Sequence, residues 1–192
     1  MSVTQSAPTF QFQSEDGSWT VSLSTDFVSL ETPAYRHFGD FVSRLDQILV
    51  ALARTVHPPT AVRIGLRKVN RLTHPGVTES SHWDDLLKPE LLGLVAAKDL
   101  PAPVFFSYSE VHFPDEDNVL VVRHGKDQTD HTAYLIDADY YTERPYSLED
   151  TGPALDLLQH FSDGATSFFH WCLQPDLYEY LSPHPRTEEE SS

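Results

Sequence analysis

The chain has 192 residues, of which 40% are hydrophobic and 22% charged, a composition typical of a globular domain and not of a disordered or fibrous protein. Thirteen Lys and Arg residues stand against 29 Asp and Glu residues, so the formal net charge is −16. This acidity argues against non-specific binding to nucleic acid or to an anionic membrane surface, because both need excess positive charge.

The chain is predicted to be cytoplasmic. Its single cysteine, Cys172, excludes an intrachain disulfide, which fits a reducing compartment. The polar N-terminus lacks the basic start and apolar run of a signal peptide, and no apolar run approaches the roughly 18 residues of a membrane span. We expect a single domain over residues 9–181, between a disordered tail at residues 1–8 and a disordered acidic tail at residues 182–192.

The N-terminal elements begin with a predicted hairpin. Residues 19–27 alternate apolar and polar side chains, which is the pattern of a half-buried strand. Phe10 and Phe12 predict a partner strand, and Glu15-Asp16-Gly17 is typical of the turn that joins two strands.

A long amphipathic helix is predicted next. Thr32-Pro33 resembles a helix N-cap followed by proline at the first helical position. Apolar residues then recur at spacings of three and four from Phe38 to Val56, which indicates one apolar helix face. Pro58-Pro59 is expected to stop the helix.

The rest of the chain predicts a strand, short helical turns, a meander of three strands and a closing helix. The predicted strands are 62–72, 104–113, 119–123 and 133–141, the helical turns lie within 83–95, and the helix covers 153–174 with a final turn to 181. This order indicates an α+β fold, a largely antiparallel sheet with two long helices packed on one face.

One predicted strand concentrates positive charge. Four of the thirteen basic residues lie within nine positions: Arg63, Arg67, Lys68 and Arg71. With a period of two, the three arginines share one strand face. They either bind a phosphate or carboxylate bidentately or neutralise carboxylates of neighbouring strands, such as Glu110, Asp137 and Asp139. The surplus of negative charge favours neutralisation.

Neither a metal site nor a cofactor is predicted. Asp137 and Asp139 point to the same side of a strand, so they either hold a divalent cation or pair with the arginine strand, and the second interpretation is favoured. His112 and the loop from His124 to His131 lack the spacing of a zinc motif, so polar turn chemistry is expected in that loop. No Walker or dinucleotide-binding glycine motif is present.

No catalytic residue is predicted either. Cys172 lies in an aromatic helix, where apolar burial makes a thiol inert, and a serine-hydrolase elbow is missing. The aromatic side chains near the C-terminus either pack in the core, as their helical spacing favours, or line a ligand pocket. They are Phe161, Phe168, Phe169, Trp171, Tyr178 and Tyr180.

Several phrases of the chain are similar to one family. They are Trp19–Leu30 with Tyr35, Arg63–Leu72, Leu135–Tyr140, and the closing helix with Leu158, His160 and Phe168. Over these residues the chain resembles a bacterial family of unknown function that is sporadically distributed among genomes. The resemblance implies a shared α+β fold and no particular activity.

Two departures from this family are expected. Its members usually begin with a further β-rich segment that this chain lacks, and Lys68 stands where an aromatic residue is more usual. A sheet that loses a strand exposes an unpaired edge. We therefore expect the edge to pair with a second copy or with a partner chain.

The leading functional hypothesis is a binding or accessory protein without enzymatic activity that contacts a partner protein. One alternative is a small enzyme on a phosphorylated or carboxylated substrate, with Arg63, Arg67 and Arg71 on the anion and Asp137 or Asp139 as base or metal ligand. Another is an antitoxin or immunity-like protein that neutralises a basic partner.

Overall fold

The computed structural model describes residues 8–56, 60–97, 99–102, 104–127, 129–130 and 132–182, which form antiparallel sheets and helices, an α+β fold. The strands are β1 (Phe10–Gln13), β2 (Thr20–Leu23), β3 (Val28–Glu31), β4 (Thr60–Ala61), β5 (Ile64–Leu72), β6 (Ser109–Asp115), β7 (Asn118–Lys126), β8 (Tyr134–Thr142) and β9 (Tyr146–Ser147). The helices are α1 (Phe38–Thr55), α2 (Pro89–Leu92), α3 (Gly152–Cys172) and α4 (Pro175–Leu181). None of the helices in this part of the chain has the length and apolarity to cross a lipid bilayer.

Chain contacts divide the described residues into two compact units. The first comprises the described parts of Met1–Thr60 with Ser147–Leu155, and the second those of Ala61–Tyr146 with Asp156–Ser192. The sequence offered no boundary between these units, and the single domain expected over residues 9–181 stays a prediction. The predicted tails lie outside the described residues, apart from Pro8 and Ser182.

The first unit contains the predicted hairpin, extended by a third strand. β1 pairs with β2 and β2 with β3, all antiparallel, and Gly17 adopts a positive φ of 68° in the first turn. The strand predicted over residues 19–27 is too long, because β2 ends at Leu23. There the backbone N–H of Ser24 donates to the carbonyl of Phe27, and the hydroxyl of Ser24 accepts a hydrogen bond from the backbone N–H of Asp26. These two hydrogen bonds form a turn that reverses the chain into β3.

Helix α1 begins later than predicted. The Thr32 hydroxyl accepts the backbone N–H of Ala34 at 3.1 Å, a local turn, and the helix starts at Phe38 after an extended His37. Its apolar side lies against the three-stranded sheet, where the Phe41 and Trp19 ring centroids are 6.0 Å apart. No residue of α1 is fully buried. The prolines expected to stop the helix lie outside the described residues.

The second unit is built on a four-stranded antiparallel sheet in the order β5-β8-β7-β6, so the predicted meander of three strands is confirmed. Two of its boundaries were wrong, because β6 begins at Ser109 and not at residue 104, and β7 extends to Lys126 and not to residue 123. Helix α3 packs on one face, where the ring of Phe161 stacks on Tyr140 at 4.5 Å. The approach is close, because a Cβ at Gly164 would lie 2.6 Å from Tyr140 Cε1. That both long helices share one sheet face stays a prediction.

Short helical elements around Pro89 complete this unit, as predicted. Two 3-10 turns, Ser80–Asp85 and Gly93–Ala96, flank α2. Trp83 is fully buried beside Tyr134, with ring centroids 5.9 Å apart. The Tyr134 hydroxyl donates to the carbonyl of Leu91 at 3.0 Å, so the buried phenol is satisfied.

Candidate functional site

The strand register places the predicted arginine face on the side of the four-stranded sheet that faces away from α3. Lys68 lies opposite Ala138 on the α3 side, and its Nζ donates to the hydroxyls of Ser162 and Thr166, both at 2.9 Å. Because side chains alternate along a strand, the neighbouring Arg67 points to the other side. Burial lowers the pKa of Lys68, and these hydroxyls explain how a cation is accommodated against a helix.

Arg67 is engaged with a carboxylate of the adjacent strand. Its Nε donates to Asp137 Oδ1 at 2.8 Å and its Nη2 donates to Oδ2 at 2.6 Å, a bidentate ion pair. Asp137 lies directly opposite Arg123 on β7, and Arg123 Nε donates to Glu110 Oε2 at 2.8 Å. Charges of alternating sign therefore cross all four strands.

Arg63 lies just before β5 and contacts β8 in two ways. Its Nη2 is 3.5 Å from Asp139 Oδ2, and its guanidinium carbon lies 4.5 Å from the ring centroid of Tyr141. The first contact is a long ion pair, and the second is a cation–π contact.

Arg71 binds two carboxylates in the loop after β7. Its Nε donates to Asp127 Oδ2 at 2.8 Å and its Nη2 to Asp130 Oδ2 at 2.6 Å. The other oxygen of each aspartate accepts the backbone N–H and hydroxyl of the residue two positions later, Thr129 or Thr132. These turn hydrogen bonds and Arg71 lower the pKa of both aspartates.

The polar turn chemistry predicted for this loop is confirmed at Asp127 and Asp130. His131 lies outside the described residues. Within the part of the chain that the structure describes, no three His, Cys, Asp or Glu side chains are grouped so that they could hold a metal ion.

The structure thus joins four of the five predicted site residues to one another, whereas Arg71 pairs with Asp127 and Asp130, which the sequence did not suggest. Arg67 pairs with Asp137 and Arg63 with Asp139, as the neutralisation hypothesis expects, whereas Glu110 pairs with Arg123. An anion site needs guanidinium groups aimed at the ligand. The hydrogen bonds found here are aimed at aspartates of the same unit.

A second cluster was missed from the sequence. Asp115 Oδ2, at the end of β6, accepts a hydrogen bond from the Tyr140 hydroxyl on β8 and one from His160 Nε2 on α3, the latter at 2.7 Å. His160 and Tyr140 lower the pKa of Asp115, whereas burial and Asp115 raise that of Tyr140. His160 is in the resembling phrases, but 45 residues separate it from Asp115, so no spacing signals the pair.

The closing aromatic side chains divide between core and surface. Phe161 is fully buried, as predicted, whereas Trp171, Tyr178 and Tyr180 are 48%, 48% and 47% exposed, so core packing was wrong for these three. Cys172 is buried, and burial raises the pKa of its thiol to about 12, which fits the predicted inert cysteine.

An aromatic surface lies along the outer strand of this sheet. The rings of Phe113 and Phe168 are 5.6 Å apart, and those of Phe168 and Trp171 are 5.7 Å apart. Val111 lies on the same strand face as Phe113, and Phe113 is 40% exposed. We call Val111, Phe113, Phe168 and Trp171 the β6 surface.

Comparison of the chain with family models, with curated proteins and with solved structures finds no match. The resemblance to the sporadically distributed bacterial family therefore stays a prediction.

Proposed function

We propose that this chain is a binding protein without enzymatic activity, and that it recognises a basic partner protein through the β6 surface. The observation that carries the proposal is an exposed aromatic cluster beside a strand edge with which no other described strand pairs. β6 pairs with β7 on one side and ends the order of the four-stranded sheet on the other. Six of its seven residues are exposed.

The chemistry of this surface suits a protein partner. Phe113 and Trp171 are exposed by 40% and 48%, and they lie in one cluster with Phe168. Aromatic side chains bury a large area and lose little rotamer entropy, which is why they are enriched in protein interfaces. A strand edge adds backbone hydrogen bonds for an extended segment of the partner.

Charge selects the class of partner. With a net charge of −16, the chain attracts a basic protein and repels an acidic one. The end of β6 and the turn after it are acidic, with Asp115, Glu116 and Asp117 in succession. If the basic partner is a toxin, the chain acts as an antitoxin. The antitoxin hypothesis is therefore a special case of the proposed binding of a basic protein.

Strand pairing by the partner is confined to part of the edge. Pro114 has no backbone N–H to donate, so an added strand pairs with Ser109–Phe113. This is the stretch that carries Val111 and Phe113, so backbone pairing and aromatic contact coincide.

The enzyme alternative rests on the arginine strand, and the geometry favours it less. Arg63, Arg67 and Arg71 each make an ion pair with an aspartate of their own unit. Binding of an anionic substrate would have to break these pairs. We therefore infer binding of a protein rather than catalysis on an anion.

Affinity purification from the native host with mass spectrometry tests the proposal. The bait is this chain, and the proteins retained by the wild type are compared with those retained by a variant of the β6 surface. The test variant is Phe113→Ser with Trp171→Ser. The matched control is Phe27→Ser, because Phe27 is 50% exposed in a turn of the first unit. Circular dichroism checks that both variants fold.

We expect a basic protein to be retained by the wild type and by the control, to be lost from the double variant, and to be released by raised salt. Loss of the same protein from the control would overturn the proposal. So would a partner that is acidic, or retention by the double variant equal to that of the wild type.

A further inference from the structure

We infer that two copies of this chain associate through the edge of strand β1, forming a continuous antiparallel sheet across a two-fold axis. This interface lies in the first unit, and the inference does not depend on the partner proposed for the β6 surface.

Strand β1 differs from the other edges of the three-stranded and four-stranded sheets. The three-stranded sheet ends in β1 and β3, and the four-stranded sheet ends in β5 and β6. Proteins protect such edges with charges and proline. Glu31 lies in β3, three basic residues lie in β5, and Glu110 and Pro114 lie in β6. β1, Phe-Gln-Phe-Gln, carries neither a charge nor a proline.

The side chains of β1 are open to a partner. All four residues are exposed, with Phe10 at 59% and Phe12 at 58%. Phe10 lies opposite Leu23 and Phe12 opposite Val21, so both rings belong to the apolar face of the three-stranded sheet. A strand added beyond β1 extends that face and covers the two rings.

The backbone of β1 is oriented for this pairing. Ser14 donates its N–H to the carbonyl of Trp19 at 3.0 Å, and hydrogen-bonded pairs alternate along an antiparallel ladder. Phe12 and Phe10 therefore direct their backbone groups toward β2, and Gln11 directs its own outward. A two-fold axis at Gln11 lets the Gln11 residues of the two copies exchange both backbone hydrogen bonds.

The side-chain pattern fits the same axis. Residues directly opposite each other in an antiparallel pair lie on one face. An axis at Gln11 sets Phe10 of one copy opposite Phe12 of the other, so four phenylalanines meet on the apolar face. An axis between Gln11 and Phe12 would instead set each phenylalanine opposite a glutamine.

Charge explains why two acidic copies meet here. Each copy carries −16, and like charges oppose association. The segment from Pro8 to Ser14 contains no ionisable side chain, so close contact adds little repulsion there. The remaining repulsion is screened by salt, so the dimer should strengthen as salt rises. Binding of a basic partner at the β6 surface has the opposite salt dependence.

Sedimentation of the full chain over a range of protein and salt concentrations tests the inference. The first variant, Gln11→Pro, removes the outward N–H and spares the β1–β2 ladder. The second, Phe10→Lys, places a charge in the interface. Its matched control is Phe27→Lys, at a side chain of similar exposure, 50%, in the same unit. Circular dichroism monitors folding throughout.

We expect a dimer of twice 21.7 kDa for the wild type and for Phe27→Lys, favoured by high salt. Gln11→Pro and Phe10→Lys should each raise the dimer dissociation constant at least tenfold. A wild type that remains monomeric at all concentrations and salts overturns the inference, as does a dimer that folded Gln11→Pro leaves unchanged.

A charge exchange tests whether positions 10 and 12 of the two copies meet. One variant carries Phe10→Lys with Phe12→Lys, and another carries Phe10→Glu with Phe12→Glu. Each alone should be monomeric, and an equimolar mixture should form a heterodimer, because position 10 of one copy meets position 12 of the other. A mixture that stays monomeric while both variants are folded contradicts this register.

Discussion

Arg67 holds the carboxylate of Asp137 at both oxygens, with donor–acceptor distances of 2.8 and 2.6 Å. The aspartate side chain is only 13% exposed, whereas the arginine side chain is 61% exposed. The mostly buried carboxylate of Asp137 thus has a hydrogen-bond donor at each oxygen, and the guanidinium group that donates remains in contact with water.

The first prediction concerns the strength of this pair. In a double-mutant cycle of Arg67→Ala and Asp137→Ala, we expect a coupling of about 0.5–1 kcal/mol in the free energy of unfolding, because exposure of the arginine screens a bidentate contact. Urea denaturation of the four proteins measures it.

The same proteins test the anion-site hypothesis. Because Arg67 is engaged with Asp137, millimolar phosphate should leave the Tm of the wild type unchanged relative to chloride at equal ionic strength. A phosphate-dependent rise in Tm that Arg67→Ala abolishes would contradict this expectation.

The second prediction concerns Lys68 on the opposite sheet face. Its Nζ lies 2.9 Å from each of the Ser162 and Thr166 hydroxyls. Ser162→Ala with Thr166→Val removes these two acceptors from a half-buried cation and should destabilise the fold by about 1–3 kcal/mol. Lys68→Met should stay within about 1 kcal/mol of the wild type, because the hydroxyls can pair with helix carbonyls.

Chemical denaturation compares these variants. The order of the free energies of unfolding decides the test. Lys68→Met should have a larger free energy of unfolding than the double variant Ser162→Ala with Thr166→Val. The reverse order would mean that the lysine stabilises the fold independently of these hydroxyls.

The third prediction concerns Gly125, near the end of β7. It has φ of 155°, and a Cβ there would overlap the backbone oxygen of Ser107. Because a backbone atom cannot swing aside, Gly125→Ala should destabilise the protein by about 2–4 kcal/mol.

Gly39→Ala is the matched control, because a Cβ at this helical glycine meets nothing within 4 Å. It should stabilise the fold by about 0.5–1 kcal/mol through helix propensity. Thermal or urea unfolding of the two variants checks both signs, and a tolerated Gly125→Ala would show that β7 and the segment around Ser107 can move apart.

The fourth prediction is a pH dependence at Arg71. Hydrogen bonds from Thr129 and Thr132, together with Arg71, lower the pKa of Asp127 and Asp130 in the folded state. The unfolded chain therefore binds more protons as the medium is acidified. The two aspartates therefore contribute fully to the free energy of unfolding above the ordinary carboxyl pKa of about 4, and this contribution is lost as the pH falls below it.

Arg71→Gln should accordingly be less stable than the wild type at neutral pH, and the difference should shrink as the pH falls below about 4. Urea denaturation at neutral and acid pH measures it. Arg144→Gln is a control at an exposed ion pair with Asp117. A difference for Arg71→Gln that is constant with pH would show that lost packing, and not charge, causes the effect.

Local patterns in the sequence identified most of the elements. The alternation around Phe12 and Val21, the meander of β6, β7 and β8, and the helical spacing through α3 all follow from the side-chain period of each element. Two of the boundary errors, at Ser24 and Thr32, arise where a hydroxyl binds the backbone nearby, because turn formation there overrides the apolar pattern.

The sequence by itself determined which side chains share a strand face, because that depends only on the period of two. It therefore placed three arginines together and proposed Asp137 and Asp139 as their neighbours. The tertiary structure alone decided three features: the partners of Arg71, the hydrogen bond between His160 and Asp115, and the exposure of Trp171. These depend on strand order, register and helix placement, which are set by contacts between residues far apart in the chain and which no local spacing encodes.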